Sequence, residues 1–238
     1  MYRILFLFLM FFFFVSGCKD EYKHKNFFTS GEKTETGFVW KRKSVTAEKI
    51  LKDYSRELVF EDDFDRHSIG DDWYAQGGAW NIIEGKLFSS IARNRNLVLA
   101  KHPLPENCLV EFEIKSESDA VDMKFNMYGT GEIKEHGDGY VFIMGGWNNS
   151  VSVIAKNHEH EKNRVENRDK RWSKGRTYRI KVIRIEKRIY WFVNGNLFLV
   201  RYDEEPLLPS HGYDRFSFAN WESWVLFDNL SIYRLIEK

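Results

Sequence analysis

The sequence IYWFVNGNLFLV, residues 189–200, decides the fold. Two apolar runs are separated by Asn194-Gly195, the dipeptide typical of a two-residue type I′ turn, in which both central residues need a positive φ. The stretch therefore predicts a β-hairpin. Trp191 is predicted to lie in the core because it alternates with Ile189 and Val193.

The rest of the chain after Leu58 continues this strand pattern. Glu84-Gly85 separates two further apolar runs and predicts a second hairpin. Apolar and polar residues alternate over 111–115, 121–128 and 179–182, which predicts half-exposed strands of antiparallel sheets. With about a dozen such strands and no long helical pattern, the sequence predicts an all-β, two-sheet antiparallel jelly-roll β-sandwich.

Composition narrows the range of partners. The 238 residues are 43% hydrophobic and 16% aromatic, enough for one principal domain. The formal net charge of +1 lacks the basic excess that nucleic acid binding needs, so no nucleic acid partner is expected. Two cysteines exclude a disulfide scaffold.

The first eighteen residues predict export. Ile4 to Val15 is an apolar run of signal-peptide length, and it leads to Val15-Ser16-Gly17-Cys18, which resembles a bacterial lipoprotein cleavage box. The sequence therefore predicts a signal peptide over 1–17 and lipidation at Cys18, with the protein anchored in the bacterial cell envelope at the outer membrane. The alternative is an ordinary signal peptide that happens to contain a cysteine. Cys108, the other cysteine, is expected to be buried as a small hydrophobe.

Residues 18–56 differ in composition from the rest of the chain and are predicted to be a tether. The sandwich is predicted to span 57–238. The tether is basic, which is compatible with docking on lipid head groups or with a solvated spacer. Within it, the apolar spacing over 44–58 predicts one short amphipathic helix, with Ser44 or Thr46 as its N-cap.

Three segments carry a family resemblance. LVFEDDFD at 58–65 and GAWNIIEGKL at 78–87 are similar to the opening strands of concanavalin A-like lectins and glucanases, and FSFANWESWVLFDNLSIYRL at 216–235 is similar to their closing pair. GYVFIMGGWNNS at 139–150 resembles a segment of jelly-roll proteins from bacterial polysaccharide-utilisation systems, some of them near the 3-keto-disaccharide hydrolase group. The resemblance implies a concanavalin A-like fold and activity on carbohydrate.

The catalytic signature of retaining glucanases, Glu-x-Asp-x-x-Glu on one strand, is not matched. The nearest string is Glu117-Ser-Asp-Ala-Val-Asp122, which ends in a shorter carboxylate and lies between two strand patterns. We interpret it as a hairpin loop.

His158-Glu159-His160 is the most chemically suggestive string. On an extended segment, residues i and i+2 share a face, so His158 and His160 are candidates for catalytic proton transfer or for binding a divalent metal ion. The alternative is a polar surface loop. His136 is a weaker candidate for a metal or substrate contact.

Exposed indoles beside amides and carboxylates are typical of sugar-binding surfaces. The candidate substrate-binding residues of this kind are Trp147, Asn148, Asn149, Trp221, Glu222, Trp80 and Gln76. Of Trp221 and Trp224, one is expected in the core and one on the surface. Gly145 and Gly146 either let a sugar approach the backbone or allow a β-bulge.

Two functions from different classes follow. The first is a lipid-anchored enzyme acting on a glycan or glycoside, including a keto-sugar hydrolase or lyase, with His158 or His160 as its proton-transfer or metal-binding group. The second is a non-catalytic glycan-binding lipoprotein, which needs only the tryptophan surface. A structural sandwich within a larger envelope complex is a third alternative, which explains the tether but not the Gly-Gly-Trp-Asn-Asn segment.

Overall fold

The computed structural model describes residues 28–34, 37–42, 45–77, 79–90 and 93–238. The predicted signal peptide and Cys18 lie outside the described residues. The chain divides into two compact units, Met1–Ser44 and Val45–Lys238. In the first, β1 (Phe28–Thr34) pairs antiparallel with β2 (Gly37–Arg42), so part of the stretch predicted as a tether forms a hairpin.

The second unit is a β-sandwich. Its strands are β3 (Tyr54–Asp62), β4 (Trp73–Ala75), β5 (Ala79–Ile83), β6 (Lys86–Ser90), β7 (Leu97–Leu99), β8 (Cys108–Ser116), β9 (Met123–Gly129), β10 (Tyr140–Gly145), β11 (Val151–Lys156), β12 (Val165–Asn167), β13 (Thr177–Ile185), β14 (Arg188–Val193), β15 (Asn196–Tyr202), β16 (Arg215–Asn220) and β17 (Trp224–Glu237). The helical segments are α1 (Ala47–Leu51), α2 (Gly146–Asn149) and a 3-10 turn at Pro209–His211. In the described part of the chain, no helix is long and apolar enough to cross a membrane.

In this second unit, the described strand pairs are all antiparallel and form two sheets. The seven-stranded sheet has the order β12-β11-β10-β9-β16-β7-β4, and the eight-stranded sheet has the order β15-β14-β13-β8-β17-β6-β5, with β3 also paired to β17. The core lies between them. Within it, Phe125 stacks on Phe142 at 4.5 Å, and Trp191, fully buried, packs edge-on against both rings. The predicted all-β jelly-roll sandwich is confirmed.

The local turn chemistry explains both hairpins. Asn194 and Gly195 have φ values of 50° and 79° between β14 and β15, as the type I′ turn requires. Glu84 and Gly85 have φ values of 51° and 69° between β5 and β6. Cys108 is fully buried and its Sγ lies 3.0 Å from the Tyr128 hydroxyl; burial raises the pKa of its thiol to about 11.

The helix α1 lies within the segment predicted to contain one, and Thr46 is its N-cap, with its hydroxyl accepting from the Lys49 N–H. Ala47 and Leu51 pack on an apolar patch formed by Leu109, Ile183, Phe192 and Leu235. These patch residues alternate with core residues, so the helix covers part of the outer face of the eight-stranded sheet. The next strand, β3, starts at Tyr54 and pairs with β17 along its length.

One strand departs from its sequence prediction. Every residue of β9 is buried, although the pattern over 121–128 predicts a half-exposed strand. The polar residues Lys124 and Asn126 face away from the core but hydrogen-bond to Asn94 and Asn96, which lie over them. The amide of Asn94 in turn donates to the carbonyl of Glu135 in the β9–β10 loop, so this loop and the 94–96 segment cover that face.

Candidate functional site

Two exposed tryptophans, Trp147 and Trp221, lie at the same end of the seven-stranded sheet. Met123, the first residue of β9, pairs with Met144 near the end of β10 on one side and with Asn220 at the end of β16 on the other. Trp147 follows Met144 by three residues, and Trp221 follows Asn220 directly. The flanking strands are two strand spacings apart, roughly 10 Å. Trp147 is 38% exposed and Trp221 is 39% exposed, so both indoles are available at one rim.

The Trp147 turn has an unusual backbone. Trp147, Asn148 and Asn149 all have φ between 50° and 57°, a left-handed conformation that costs about 1–2 kcal/mol for Trp147 and is better tolerated by the two asparagines. The Asn149 side chain secures it: its Nδ2 donates to the Trp172 carbonyl at 2.7 Å, and the Trp172 N–H donates to its Oδ1 at 3.0 Å. Asn149 therefore positions the turn through one bond at each of its polar atoms, and its contact with a substrate stays a prediction. Asn148 is exposed.

The two glycines before Trp147 serve the turn itself. Gly145 has a φ of 74°, and a Cβ there would lie 2.8 Å from Oδ1 of Asn149. A Cβ on Gly146 would lie 2.7 Å from Cγ2 of Ile143. Backbone conformation at Gly145 and close packing at Gly146 already require glycine at these positions. Neither the approach of a sugar to the backbone nor a β-bulge is needed to explain them.

Trp147 is framed by two cationic or ionisable side chains. The guanidinium of Arg164 lies over the indole at 4.8 Å, and the His160 ring meets it edge-on at 5.4 Å. Arg164 is held in turn by its Nη1, which donates to the carbonyl of Glu159 at 2.6 Å. The indole is thus fixed while a substantial part of its surface faces solvent.

Trp221 is fixed by the segment that starts at Arg93. The backbones of Arg93 and Trp221 form an isolated β-bridge, and the Asn94 N–H donates to the Asn220 carbonyl at 2.9 Å. The guanidinium of Arg93 pairs with the carboxylate of Glu222. Both partners are exposed, so Glu222 offers the predicted polar group beside Trp221, together with a cation that the sequence did not suggest. The prediction that one of Trp221 and Trp224 is in the core is wrong, because Trp224 is 52% exposed.

Three imidazoles meet beside Trp147. The His136 ring lies 4.6 Å from that of His158 and 5.7 Å from that of His160, and the last two rings are 5.5 Å apart. His158 and His160 are exposed, but they lie in a turn after β11 and not on an extended strand. Between them, Glu159 points inward and is buried. Partial burial lowers the pKa of His160.

Glu159 belongs to a buried polar network under this cluster. Its Oε2 lies 2.5 Å from Nζ of Lys124, which also donates to Oδ1 of Asn94 at 2.6 Å. Burial is the largest influence and acts to raise the pKa of Glu159, but the charge and hydrogen bond of Lys124, together with His160 and His136, outweigh it, so the net pKa is lowered. The network links β9, the 94–96 segment and the turn after β11, and so joins the Trp147 side of the rim to the Trp221 side.

Asp122 lies between the two tryptophan segments, directly before Met123. Its Oδ1 is buried and has no hydrogen-bond partner. Burial raises the pKa of Asp122 to about 7, with Lys124 opposing the shift and Glu159 adding to it. It is a carboxyl group that can carry a proton near neutral pH.

The 117–122 string is a loop, as interpreted from the sequence, but it is not a hairpin. It crosses from β8 in the eight-stranded sheet to β9 in the seven-stranded sheet. Glu117 pairs with Lys115 and Asp119 with Lys174, so these carboxylates are not arranged on one strand as in the glucanase signature.

Two other predicted contacts are corrected by burial. Trp80 is 6% exposed and packs against Phe227 in the core, so its indole face is not accessible to a sugar. Gln76 is also 6% exposed, and its Nε2 donates to the Gly131 carbonyl at 2.7 Å. Gln76 thereby holds the β9–β10 loop against the sheet.

Most of the residues that support the site have no distinctive local pattern in the sequence. Lys124 falls on the polar side of an alternating strand pattern, so its sequence position predicts an exposed side chain. Asn94 and Arg164 come from separate loops, and their approach depends on the tertiary fold. His136 was only a weak candidate because its partners lie 23 and 24 positions later in the sequence.

A depression of about 630 Å³ lies elsewhere, on the outer face of the eight-stranded sheet. Arg179 and Glu113 pair across it, as do Lys181 and Glu111. Such cross-strand ion pairs are typical of a solvated sheet face, so this depression is not the candidate site.

Comparison with known proteins identifies the fold. No family model matches the chain, and no curated protein sequence matches it. Several solved structures match the chain in their fold. The carbohydrate-binding module CBM66 from Bacillus subtilis aligns with a TM-score of 0.56 at 12% identity, over 70% of this chain and 98% of that one. A laminarinase from Flavobacterium sp. UMI-01 aligns at 0.55 and 13% identity, over 75% and 100%.

A β-glucanase from Bacillus licheniformis aligns with a TM-score of 0.54 at 11% identity, over 73% of this chain and 96% of that one. At such identities the likeness concerns the fold alone. This chain has the concanavalin A-like jelly-roll fold, whose solved relatives include a carbohydrate-binding module and glucanases.

Proposed function

We propose that this protein binds carbohydrate across the rim that carries Trp147 and Trp221. The observation that supports this most directly is the exposure of both indoles at the same end of the seven-stranded sheet, on strands that flank β9. Sugars present C–H faces that stack on indoles and hydroxyls that seek charged and amide groups. Arg93 and Glu222 supply such groups beside Trp221, and Asn148 supplies an exposed amide beside Trp147.

The solved relatives support the same class of ligand, since they include a carbohydrate-binding module and glucanases. The particular ligands of those proteins are not transferred to this chain; we infer that saccharides are the class of ligand to test first.

A second candidate, catalysis, is favoured by Asp122. A partly buried carboxyl group whose pKa is raised to about 7 is suited to general acid catalysis. In a lyase reaction on a keto-sugar glycoside, the imidazole of His158, acting as a base, would remove the proton next to the carbonyl. The electron pair would form a C=C bond as the glycosidic C–O bond breaks, and Asp122 would donate its proton to the leaving oxygen. In direct hydrolysis, water would instead attack the anomeric carbon as the glycosidic C–O bond breaks, giving its proton to the same unprotonated imidazole while Asp122 protonates the leaving oxygen.

One experiment separates the two. The purified full chain in detergent is screened by glycan array and calorimetry against plant and host oligosaccharides, including 3-keto disaccharides, while product is followed by chromatography. We expect Trp147→Ala and Trp221→Ala each to weaken affinity tenfold or more, and Trp224→Ala, which removes an exposed indole from the other sheet, to leave it unchanged.

The second candidate has its own readout in the same screen. Turnover that is lost in Asp122→Asn, and in a His158→Ala/His160→Ala double variant, with affinity retained, supports an enzyme. Affinity without turnover supports a binding protein. The proposal is overturned if no glycan binds, or if the tryptophan variants bind as the wild type does.

We also propose that Cys18 is lipidated after removal of residues 1–17, which would anchor the protein in the bacterial outer membrane. The signal-like segment and the Val15–Cys18 box support this. In a bacterium fed an alkyne fatty acid, the protein should label and fractionate with membranes. Cys18→Ser should lose the label and Cys108→Ser should keep it; labelling that persists in Cys18→Ser would contradict the anchor.

A further inference from the structure

We propose that His136, Glu159 and His160 bind a divalent transition-metal ion of the zinc class. The Oε1 atom of Glu159 lies 3.6 Å from Nδ1 of His136 and 3.5 Å from Nε2 of His160. The three residues each offer one ligand atom, and these three atoms all lie within 4.8 Å of one another. The proposal concerns metal binding alone and does not depend on the proposed carbohydrate function.

The separations match a metal site better than a hydrogen-bonded cluster. Zinc binds imidazole nitrogen and carboxylate oxygen at about 2.0–2.2 Å in tetrahedral geometry, which puts neighbouring donor atoms roughly 3.3–3.5 Å apart. Hydrogen bonds between such atoms would be about 2.7–3.0 Å. The two contacts to Oε1 thus need only a small contraction, whereas the two imidazole nitrogens, which lie within 4.8 Å of each other, must approach more closely for an ion to bind between the three atoms.

The His136 Nδ1 atom gives an independent indication. It is buried and has no hydrogen-bond partner. Buried side-chain nitrogens in folded proteins nearly always have a partner, so an orphaned one needs an explanation. A metal ion that accepts the lone pair of His136 Nδ1 would give this atom a partner. Oε1 of Glu159 is near enough to bind the same ion.

The Glu159 carboxylate is already oriented for this role. Lys124 holds its other oxygen, Oε2, at 2.5 Å, which leaves Oε1 directed to the two imidazoles. The Glu159 N–H donates to the His136 carbonyl at 2.8 Å, and this bond ties the two loops together. Partners of this kind, which fix the direction of a ligand, are typical of protein metal sites. The positive charge of Lys124 will weaken cation binding relative to a closed structural site.

His158 is not one of the ligands. Its Nδ1 accepts a hydrogen bond from the His160 N–H at 3.0 Å, and its ring lies 4.6 Å from that of His136, with the ring planes tilted by 36°. The predicted His158/His160 metal pair is therefore replaced by a set that spans two loops. His158 supports the rings of the ligands from outside.

Two nitrogens and one carboxylate oxygen select the class of metal. Imidazole donors suit Zn²⁺ and its transition-metal neighbours, whereas Ca²⁺ and Mg²⁺ prefer all-oxygen sites. Three protein ligands leave a fourth position for water or another ligand, as in catalytic zinc sites. His160 contacts the Trp147 indole, so a ligand at that position would lie beside the tryptophan rim.

The test is a Zn²⁺ titration of the tag-free full chain in detergent, by competition with a chromophoric chelator, followed by X-ray absorption of the loaded protein. We expect one equivalent of Zn²⁺, bound to nitrogen and oxygen donors without sulfur. His136→Ala, His160→Ala and Glu159→Gln should each weaken binding at least tenfold. His211→Ala, which removes an exposed imidazole elsewhere, should leave it unchanged.

His158→Ala distinguishes this site from the pair predicted by the sequence, and we expect it to change affinity less than threefold. Circular dichroism of each variant checks that it is folded; a variant that unfolds is replaced by His136→Gln or His160→Gln. The proposal is overturned if the wild type binds less than one equivalent of Zn²⁺. It is also overturned if His158→Ala abolishes binding while His136→Ala does not.

Discussion

The Nζ atom of Lys124 lies 2.5 Å from Oε2 of Glu159, and the two side chains are only 3% and 11% exposed. This buried ion pair joins the central strand of the seven-stranded sheet to the turn that carries His158 and His160. It stands beneath the candidate site, and the loops that form that site depend on it for their positions.

Removing the cation should therefore be costly. We expect Lys124→Met to lower the free energy of unfolding by about 3 kcal/mol, because it leaves the Glu159 carboxylate buried without its partner. Denaturant unfolding measures the change. The matched control is Lys174→Met, which removes the exposed pair with Asp119 and should change stability by less than about 0.5 kcal/mol. Equal effects of the two variants would contradict a buried network.

The turn that presents Trp147 should depend on Asn149 and not on Asn148. We expect Asn149→Asp to lower the free energy of unfolding by about 1–3 kcal/mol, because it replaces the Nδ2 donor with an oxygen facing the Trp172 carbonyl. Asn148→Asp, at an exposed position with the same left-handed backbone, should change it by less than about 0.5 kcal/mol.

Asparagine and aspartate both tolerate that backbone, so the comparison isolates the side-chain contacts. Thermal and denaturant unfolding of both variants provide the measurement. If Asn149→Asp is as stable as Asn148→Asp, the amide does not hold the turn.

Asp122 should make stability fall as pH rises. Its folded pKa of about 7 is above its ordinary value of 3.8, so the folded state binds a proton that the unfolded state has released. The stabilisation is complete below the ordinary value and is lost as pH rises through about 7. Between pH 5 and pH 8 we expect the free energy of unfolding of the wild type to fall by about 2 kcal/mol relative to that of Asp122→Asn. This is less than the full pKa shift implies, because Asp122 is partly exposed to water.

Denaturant unfolding of both proteins at the two pH values tests this. Since other groups titrate equally in both proteins, the difference between them reports Asp122. A difference that is constant with pH, or that grows in the opposite direction, would show that the carboxyl group is ionised throughout.

The fold was accessible from local sequence because its signals are local. Asn194-Gly195 specifies its turn through backbone conformation alone, and the alternation around Trp191 places that side chain in the core. The site was accessible only in part. Trp147 and Trp221 stand out beside glycine, asparagine and glutamate, whereas Trp80 carries the same local signs and is buried by its pairing partners.

The supporting residues were beyond local reasoning. His136 meets Glu159 only because β10 and β11 bring the loop before one strand to the turn after the other. Lys124 looked like the solvent face of a strand, and its burial follows from a covering loop whose position depends on Gln76 and Asn94. No spacing rule within one segment encodes such contacts.

The most direct test of the central claim is a crystal structure of the full chain with the tightest-binding oligosaccharide from the glycan screen. We predict that sugar rings stack on Trp147 and Trp221, with hydroxyls in contact with Arg93 or Glu222. An oligosaccharide bound on the outer face of the eight-stranded sheet, around Arg179 and Lys181, with both indoles free, would contradict the account.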